Sequence, residues 1–502
     1  MKSPAEYSNT ERWIITLTVM SAALMQVLDT TIVNVALPHM QGSLGATSDQ
    51  ITWTLTGYMV ASGIIMPLTG YFSDRLGRKN YLFISILGFT LTSALCGAAG
   101  SLTSMVFFRL LQGMFGAALV PLSQAILADV YPKEEQGKAM AIWGVGIMAG
   151  PILGPTLGGY LTQMASWRWT FYINIPVGIM AMILTALVVP GNVKRERKMD
   201  WLGLFYLSLS IASLQYFLDR GDYRDWFNAW DIRIATALGF FGLIGFVVHN
   251  LFNSRHIVFN IRIFLDRNFT LASLLLAGVG LGLYGTMVIQ PILLQHLLNY
   301  PVFTAGLVMI PRGISSMISM MLVGKIITRI NPRTLIIAGV LICILGVKLT
   351  VYYSLNISPI WIIWPSVVQG FGLGLIFVPL SVIAFSTLPA NLRMDATGVF
   401  SLLRTMGSTI GISICMTVYV RGIQKAWNLL SGFVNPYNVS MPFYLHKLHV
   451  SSFYSPKAVS VITLELARQA QMIAMVNAFS FIEWSFILML PLVFLLRNPT
   501  HH

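Results

Sequence analysis

Apolar runs of about twenty residues recur along almost the whole of this 502-residue chain, separated mostly by short polar connections. A helix rises about 1.5 Å per residue, so each run matches the roughly 30 Å hydrocarbon core of a bilayer. Inside hydrocarbon the backbone must satisfy its own hydrogen bonds, which makes helix the spanning form for runs of this length. Hydrophobic residues make up 56% of the chain and charged residues only 10%, where soluble domains carry about 25% charged residues. No soluble core hides that much apolar surface. The chain reads as an all-α polytopic membrane protein with about fourteen spans, the first from about residue 12 and the last ending near 496.

The net charge of +14 would suggest nucleic acid in a soluble protein. Here the basic residues gather in connections after even-numbered spans: Arg75, Arg78 and Lys79; Lys133 and Lys138; Lys194, Arg195, Arg197 and Lys198; Arg255, Arg262 and Arg267; Arg329 and Arg333. Short connections on the other side are nearly uncharged or acidic, as between Asp219 and Asp231. This is the positive-inside pattern, so both termini are expected in the cytoplasm and nucleic acid is not expected as a partner. The polar N-terminal segment leads into an apolar stretch too long for a signal peptide. Cys96, Cys343 and Cys415 lie in apolar runs and read as buried thiols. The eight histidines show no metal-binding spacing, and no Gly-rich nucleotide loop of the P-loop form occurs. No metal or cofactor is expected, and a proton gradient is the candidate energy source.

Two landmarks repeat. Gln112-Gly113 followed by Val120-Pro121-Leu122-Ser123 returns as Gln369-Gly370 followed by Val378-Pro379-Leu380-Ser381, and Gly70 with Arg75 returns as Gly324 with Arg329. Offsets of 254 to 258 residues at separate landmarks imply two homologous six-helix halves. The halves are assigned to 12–190 and 268–496, with two further helices inserted at 201–252.

Asp29 lies inside apolar sequence in the first span. An intramembrane carboxylate costs about 2.5–3.5 kcal/mol on insertion scales, so it marks a functional site unless a structural hydrogen-bond network explains it. Arg109 opens the fourth span at a similar depth. A cation beside a carboxylate favours the ionised form and releases it on protonation, so the two are candidates for proton coupling. The competing reading of Arg109 is a side chain snorkelling to the headgroups. In the second half Ser366 stands near the place of Arg109, which confines the coupling charge to the first half.

Between spans two and three stands Gly70-Tyr71-Phe72-Ser73-Asp74-Arg75-Leu76-Gly77-Arg78-Lys79. So charged a turn wedged between spans is a candidate gate, with Asp129 at the inner end of span four as a partner for Arg75 or Arg78. In the fifth span Gly146, Gly150, Gly154 and Gly158 share one helical stripe, extended by Gly159 and interrupted by Pro151 and Pro155. Such a stripe lets another backbone approach closely. Gln26, Asn34, Gln112, Gln290, Gln295 and Arg404 are polar within apolar spans and are candidates to line a cavity or to bond between helices. Residues 421–477 are expected to form a long extracytoplasmic loop, with a helix starting at Ser455-Pro456.

The G-x-x-x-D-R-x-G-R-K spacing from Gly70 to Lys79 resembles the signature between helices two and three of the major facilitator superfamily. The run around Asp29 resembles the first-helix motif of its 14-span drug:proton antiporter family. The stretch Gly146-x-x-x-Gly150-Pro151-x-x-Gly154-Pro155-x-x-Gly158-Gly159 resembles the antiporter motif of drug exporters. Met25 to Asp29, Pro121 to Gln124, Leu218 to Gly221 and Val434 to Asn438 look like EmrB-type exporters. The resemblance implies a major facilitator fold, with Asp74 set against the start of span 13. It also implies proton-driven export of hydrophobic or amphipathic toxic compounds through an inner membrane. The implied partners are a periplasmic adaptor, which the long loop would dock, and an outer-membrane channel. The alternatives are an exporter of one metabolite class (fatty acid, bile salt or siderophore) and an integral-membrane enzyme. The enzyme reading lacks a metal constellation or nucleophile motif.

Overall fold

The computed structural model describes residues 7–132, 135–191, 198–252, 258–389, 392–435, 437–438, 440–447 and 453–497. Of the basic connection residues, Lys133, Lys194, Arg195, Arg197 and Arg255 lie outside them. Among the described residues there are fourteen helices long and apolar enough to cross a membrane. They are α1 (Asn9–Ser43), α2 (Trp53–Leu76), α3 (Arg78–Ala98), α4 (Leu102–Val130), α5 (Gln136–Met164), α6 (Trp169–Val188) and α7 (Trp201–Arg220). Then follow α8 (Trp230–Phe252), α9 (Arg267–Leu297), α10 (Phe303–Ile326), α11 (Pro332–Thr350), α12 (Pro359–Ser386), α13 (Arg393–Ser431) and α14 (Pro456–Phe494). An even number of crossings brings both termini to one face of the bundle.

Capping residues mark many of the starts. Ser8 and Ser101 form capping boxes for α1 and α4, while Asp266 and Ser455 accept backbone amides at the starts of α9 and α14. Gly77, at φ 84°, turns the chain between α2 and α3 in a conformation open mainly to glycine. Helix α2 bends where Pro67 sits in a tighter turn over Met66–Leu68.

In the first half α1 packs on α4, α5 and α6, and α2 packs on α4; in the second, α9 packs on α12, α13 and α14, and α10 packs on α12. Helices α7 and α8 pack chiefly on each other and reach the bundle through α7 against α2 and α13. Their outward faces carry Phe205, Phe240, Phe241 and Phe252 exposed, as a lipid-facing surface does. The seam between the halves runs along α5 and α10, where small residues alternate sides: Gly137 meets Ile327, Gly324 meets Ala141, and Gly306 meets Thr156.

Within the segment 421–477 the helix start expected at Ser455-Pro456 is present, while the part before it is more helical than a loop. Helix α13 continues to Ser431 and α14 begins at Pro456, each being 39 residues long. Their extensions pack together where Gly422 faces Ala474. A short helix, Met441–Lys447, folds over the tip, with Met441 and Leu445 packed on Ala458 and Ile462. Length alone hid this: the extensions are amphipathic and lack the sustained hydropathy of a span, yet each apolar stripe finds the other.

Candidate functional site

Asp29 and Arg109 are in contact, both fully buried. Arg109 Nη1 donates to Asp29 Oδ2 at 2.6 Å and to Gln112 Oε1 at 2.7 Å, while its Nε donates to the Thr54 carbonyl at 3.1 Å. The other carboxylate oxygen accepts from Gln112 Nε2 and Asn174 Nδ2, each at 3.0 Å. Asn174 is held in turn, donating to Ser93 Oγ at 3.0 Å. The guanidinium lies 4.3 Å from the centroid of the Tyr58 ring, where a ring face favours a cation. Arg109 does not snorkel: its side chain is 0% exposed. Five helices (α1, α2, α3, α4 and α6) converge on this one carboxylate–guanidinium node. Buried charges need pairing and hydrogen bonds to persist in such a setting, and these have both, although Arg109 Nη2 has no hydrogen-bond partner among the described residues.

The second half repeats the geometry without the charges. Gln369 Nε2 donates to Thr286 Oγ1 at 3.3 Å, and Ser366 accepts from Gln290 Nε2 at 2.9 Å. Thr286, Ser366 and Gln369 stand 257 residues after Asp29, Arg109 and Gln112. A neutral hydroxyl therefore replaces each member of the ion pair.

Between the halves, on the face opposite the termini, lies a cavity of about 430 Å³. This is within the range of about 300–1,000 Å³ typical of small-molecule sites. Its walls come from α1 (Thr31, Asn34, Pro38), α5 (Pro155, Gly159) and the second half (Tyr284, Gln295). Two smaller cavities continue toward the terminal face, one lined by Arg312, the other by Arg404, and both by Pro151. At about 100° per residue, Asp29 points to the side of α1 opposite Thr31 and Pro38. The carboxylate thus faces the core of the first half, and the cavity lies behind the helix that carries it.

The glycine stripe of α5 meets α1. A Cβ at Gly146 would lie 2.8 Å from Met20 Cγ, at Gly150 2.7 Å from Val27 Cγ1, and at Gly158 3.0 Å from the Ile32 carbonyl oxygen. Gly154 abuts Thr31, whose hydroxyl donates to the Gly150 carbonyl at 3.2 Å. The stripe is thus a seam within the first half, and α5 turns a different face, through Ala141, Ile152 and Thr156, to α10.

At the terminal face Arg78 pairs with Asp129. Arg75 does not take that partner; it donates to the Tyr71 hydroxyl on its own helix at 2.5 Å. Gly70 lies directly against Asp395 at the start of α13, so the contact there with the second half is made by the glycine that opens the motif. Asp74 lies in the last turn of α2, which packs on α13.

Of the six polar candidates, Asn34, Gln295 and Arg404 line cavities. Gln26 instead accepts from the Val120 amide, Gln112 belongs to the ion-pair network, and Gln290 bonds Ser366. A long polar side chain in an apolar helix satisfies itself against the nearest backbone or hydroxyl unless a void is at hand. Thr54, Tyr58, Ser93, Asn174 and Arg312 were not singled out from the sequence. Both Asn174 and Arg312 stand in apolar runs, and of the two only Arg312 carries a charge there.

A family model described as the Major Facilitator Superfamily matches residues 19–412. The chain belongs to the major facilitator superfamily. As a member it is a multi-pass membrane protein of a transporter family. It is 32% identical to the multidrug export protein EmrB of Escherichia coli (strain K12), over 97% of this chain and 95% of that protein. Against the fatty acid resistance protein FarB of Neisseria gonorrhoeae the identity is 31%, over 97% and 96%. Among solved structures, a human organic anion transporter superposes with a TM-score of 0.62 at 15% identity, covering 97% of this chain and 99% of that one, a likeness of fold alone.

Proposed function

We propose that this facilitator is a proton-coupled antiporter. In this reading it exports hydrophobic or amphipathic toxic compounds from the cytoplasm or inner leaflet across an inner membrane. The buried Asp29–Arg109 pair carries the reading. It is a titratable carboxylate with one charged partner, set behind a cavity of ligand size. Protonation of Asp29 neutralises the carboxylate and frees Arg109, which changes how α1 sits against α4 and α6. Because Asp29 and the cavity lie on opposite sides of α1, proton and substrate exchange through movement of that helix rather than by competing for one carboxylate. The glycine seam lets α5 follow α1 closely, and the Gly70–Asp395 contact between the halves closes the cytoplasmic side when the cavity faces outward, with the Arg78–Asp129 pair holding α3 to α4 beside it.

The relatives named for multidrug export and the basic residues near the terminal face support the direction and the cytoplasmic termini. The two halves (12–190 and 268–496), the inserted pair (201–252) and operation without a cofactor are part of the same proposal. So is a partnership with a periplasmic adaptor and outer-membrane channel, for which the α13–α14 hairpin is the docking element. The relative named for fatty acid resistance supports a narrower reading, export of one metabolite class. A substrate panel in everted vesicles with a pH-sensitive dye tests both. Dye responses to several unrelated hydrophobic compounds are expected; a response to one class alone gives the narrower reading, and none at all defeats proton-coupled export.

A further inference from the structure

Arg312 lies midway along α10, 6% exposed, at the interface of the two halves. Among the described residues all three of its guanidinium nitrogens lack a hydrogen-bond partner. One turn along the same helix, the Ser316 hydroxyl is 2% exposed and also unpartnered. Both residues line the same cavity, whose other walls are apolar: Met148, Pro151, Leu283 and Met287 among them. The ionisable groups that act on Arg312 electrostatically are the Cys343 thiol and the Tyr353 phenol, neither of them a carboxylate. A buried guanidinium left without an anion and without acceptors is a costly placement, and most such groups in proteins are paired.

The internal repeat explains where the missing anion went. Gly113 packs on the backbone of Tyr58, and Gly370 packs on the backbone of Arg312. Arg312 therefore occupies the second-half position of Tyr58, at the same 254-residue offset that relates Gly70 to Gly324. In the first half the cation near this position has Asp29; in the second, the residue equivalent to Asp29 is Thr286. The first half supplies its own carboxylate, and the second half presents a cation and a hydroxyl donor to a cavity. Arg404 lines the next cavity inward, adding a second positive group along the path.

We propose that Arg312, with Ser316, is the anion-reading element of the transport site and selects amphipathic compounds that carry a carboxylate or an equivalent single negative charge. This rests on the export reading above and names the chemistry of its substrate. The guanidinium offers a two-pronged fork to two carboxylate oxygens, and the serine hydroxyl donates to one of them. The cavity around Arg312 holds only about 40 Å³, enough for the anionic head; the adjoining 430 Å³ cavity, which shares Met287 and Met309 with it, takes the rest of the molecule. A neutral analogue of the same shape fills the walls and leaves the guanidinium unpaired, so it binds less well.

The full chain in lipid nanodiscs is titrated with 1-pyrenebutyrate and with its neutral amide, followed by pyrene fluorescence. The parent should bind the acid about tenfold more tightly than the amide. Arg312→Gln should remove that preference while leaving amide affinity within about twofold, and Ser316→Ala should weaken the acid about threefold. If Arg312→Gln does not fold, as judged by thermal melting, Arg312→Lys keeps the charge without the fork and should weaken the acid selectively. Equal binding of acid and amide by the parent, or variants that weaken both alike, would overturn the assignment. Extrusion from everted vesicles separates the two layers. Selective binding of the acid without its extrusion would defeat the export reading and leave the site; extrusion without selectivity would do the reverse.

Discussion

Replacing Asp29 by Asn tests the node at its centre. The carboxylate accepts three hydrogen bonds, from Arg109, Gln112 and Asn174. The carboxamide oxygen of Asn keeps the bonds from Gln112 and Asn174, but its amide then faces Arg109 with hydrogens opposed to hydrogens. Arg109, 0% exposed, is left without a counter-charge. Removing one partner of a buried pair typically costs about 3–5 kcal/mol. The substitution should therefore lower the melting temperature as well as abolish proton movement. The double variant Asp29→Asn/Arg109→Gln removes both charges and restores a neutral hydrogen-bonded node. It should recover about half or more of the lost stability while transporting nothing, a coupling visible in a double-mutant cycle. The assay pairs thermal melting of purified protein with substrate-driven fluorescence of a pH dye in everted vesicles. Two results would refute the reasoning: substrate-driven proton movement by the single variant, or identical melting of single and double variants.

Three further perturbations follow from the geometry. Gly154→Val forces branched carbons into Thr31 across the α1–α5 seam and should cost about 1–3 kcal/mol by overpacking, together with efflux; Gly57→Ala, which meets Leu110 only at 3.5 Å, should be nearly neutral by the same melting and efflux assays. Arg78→Asp should impair efflux severalfold and Asp129→Arg should restore most of it in the double variant, although these half-buried groups contribute only about 1 kcal/mol or less to stability. Replacing 432–455 by a short Gly-Ser linker should weaken crosslinking to a periplasmic adaptor and leave transport in isolated vesicles intact; undiminished crosslinking after removal of the whole hairpin tip would move the docking surface elsewhere.

The helix count was legible because bilayer thickness fixes the length of an apolar run; the reading as two halves rests on recurring landmarks such as Gln112-Gly113 and Gln369-Gly370. Asp29 and Arg109 were legible because a charge in an apolar run has few cheap explanations. Asn174 was not, since a neutral amide is tolerated in a span and its carboxylate partner lies 145 residues away in sequence. Arg312 shows a different limit. Its charge was as visible as that of Arg109, but what distinguishes it is that none of its three guanidinium nitrogens finds a hydrogen-bond partner among the described residues, which only three-dimensional packing reveals. The direction of the α5 stripe was hidden for a similar reason: spacing locates a smooth helix face but does not say which neighbour leans on it.

Helices α13 and α14, at 39 residues each, are about 58 Å long, nearly twice the roughly 30 Å thickness of the hydrocarbon core. They start and end near the terminal face, so their excess length stands at the opposite end, where Arg421–Ser431 of α13 adds about 16 Å of paired helix. The hairpin is continuous with two helices of the second half and tied to the inserted pair by Arg421, which binds Asp225 at 3.0 Å. It has the shape of a lever arm. A rigid-body tilt of the second half by about 10° would sweep the end of that paired stretch by about 3 Å. Whatever grips that tip receives the position of the membrane domain as a mechanical signal, without any ligand crossing the space between them.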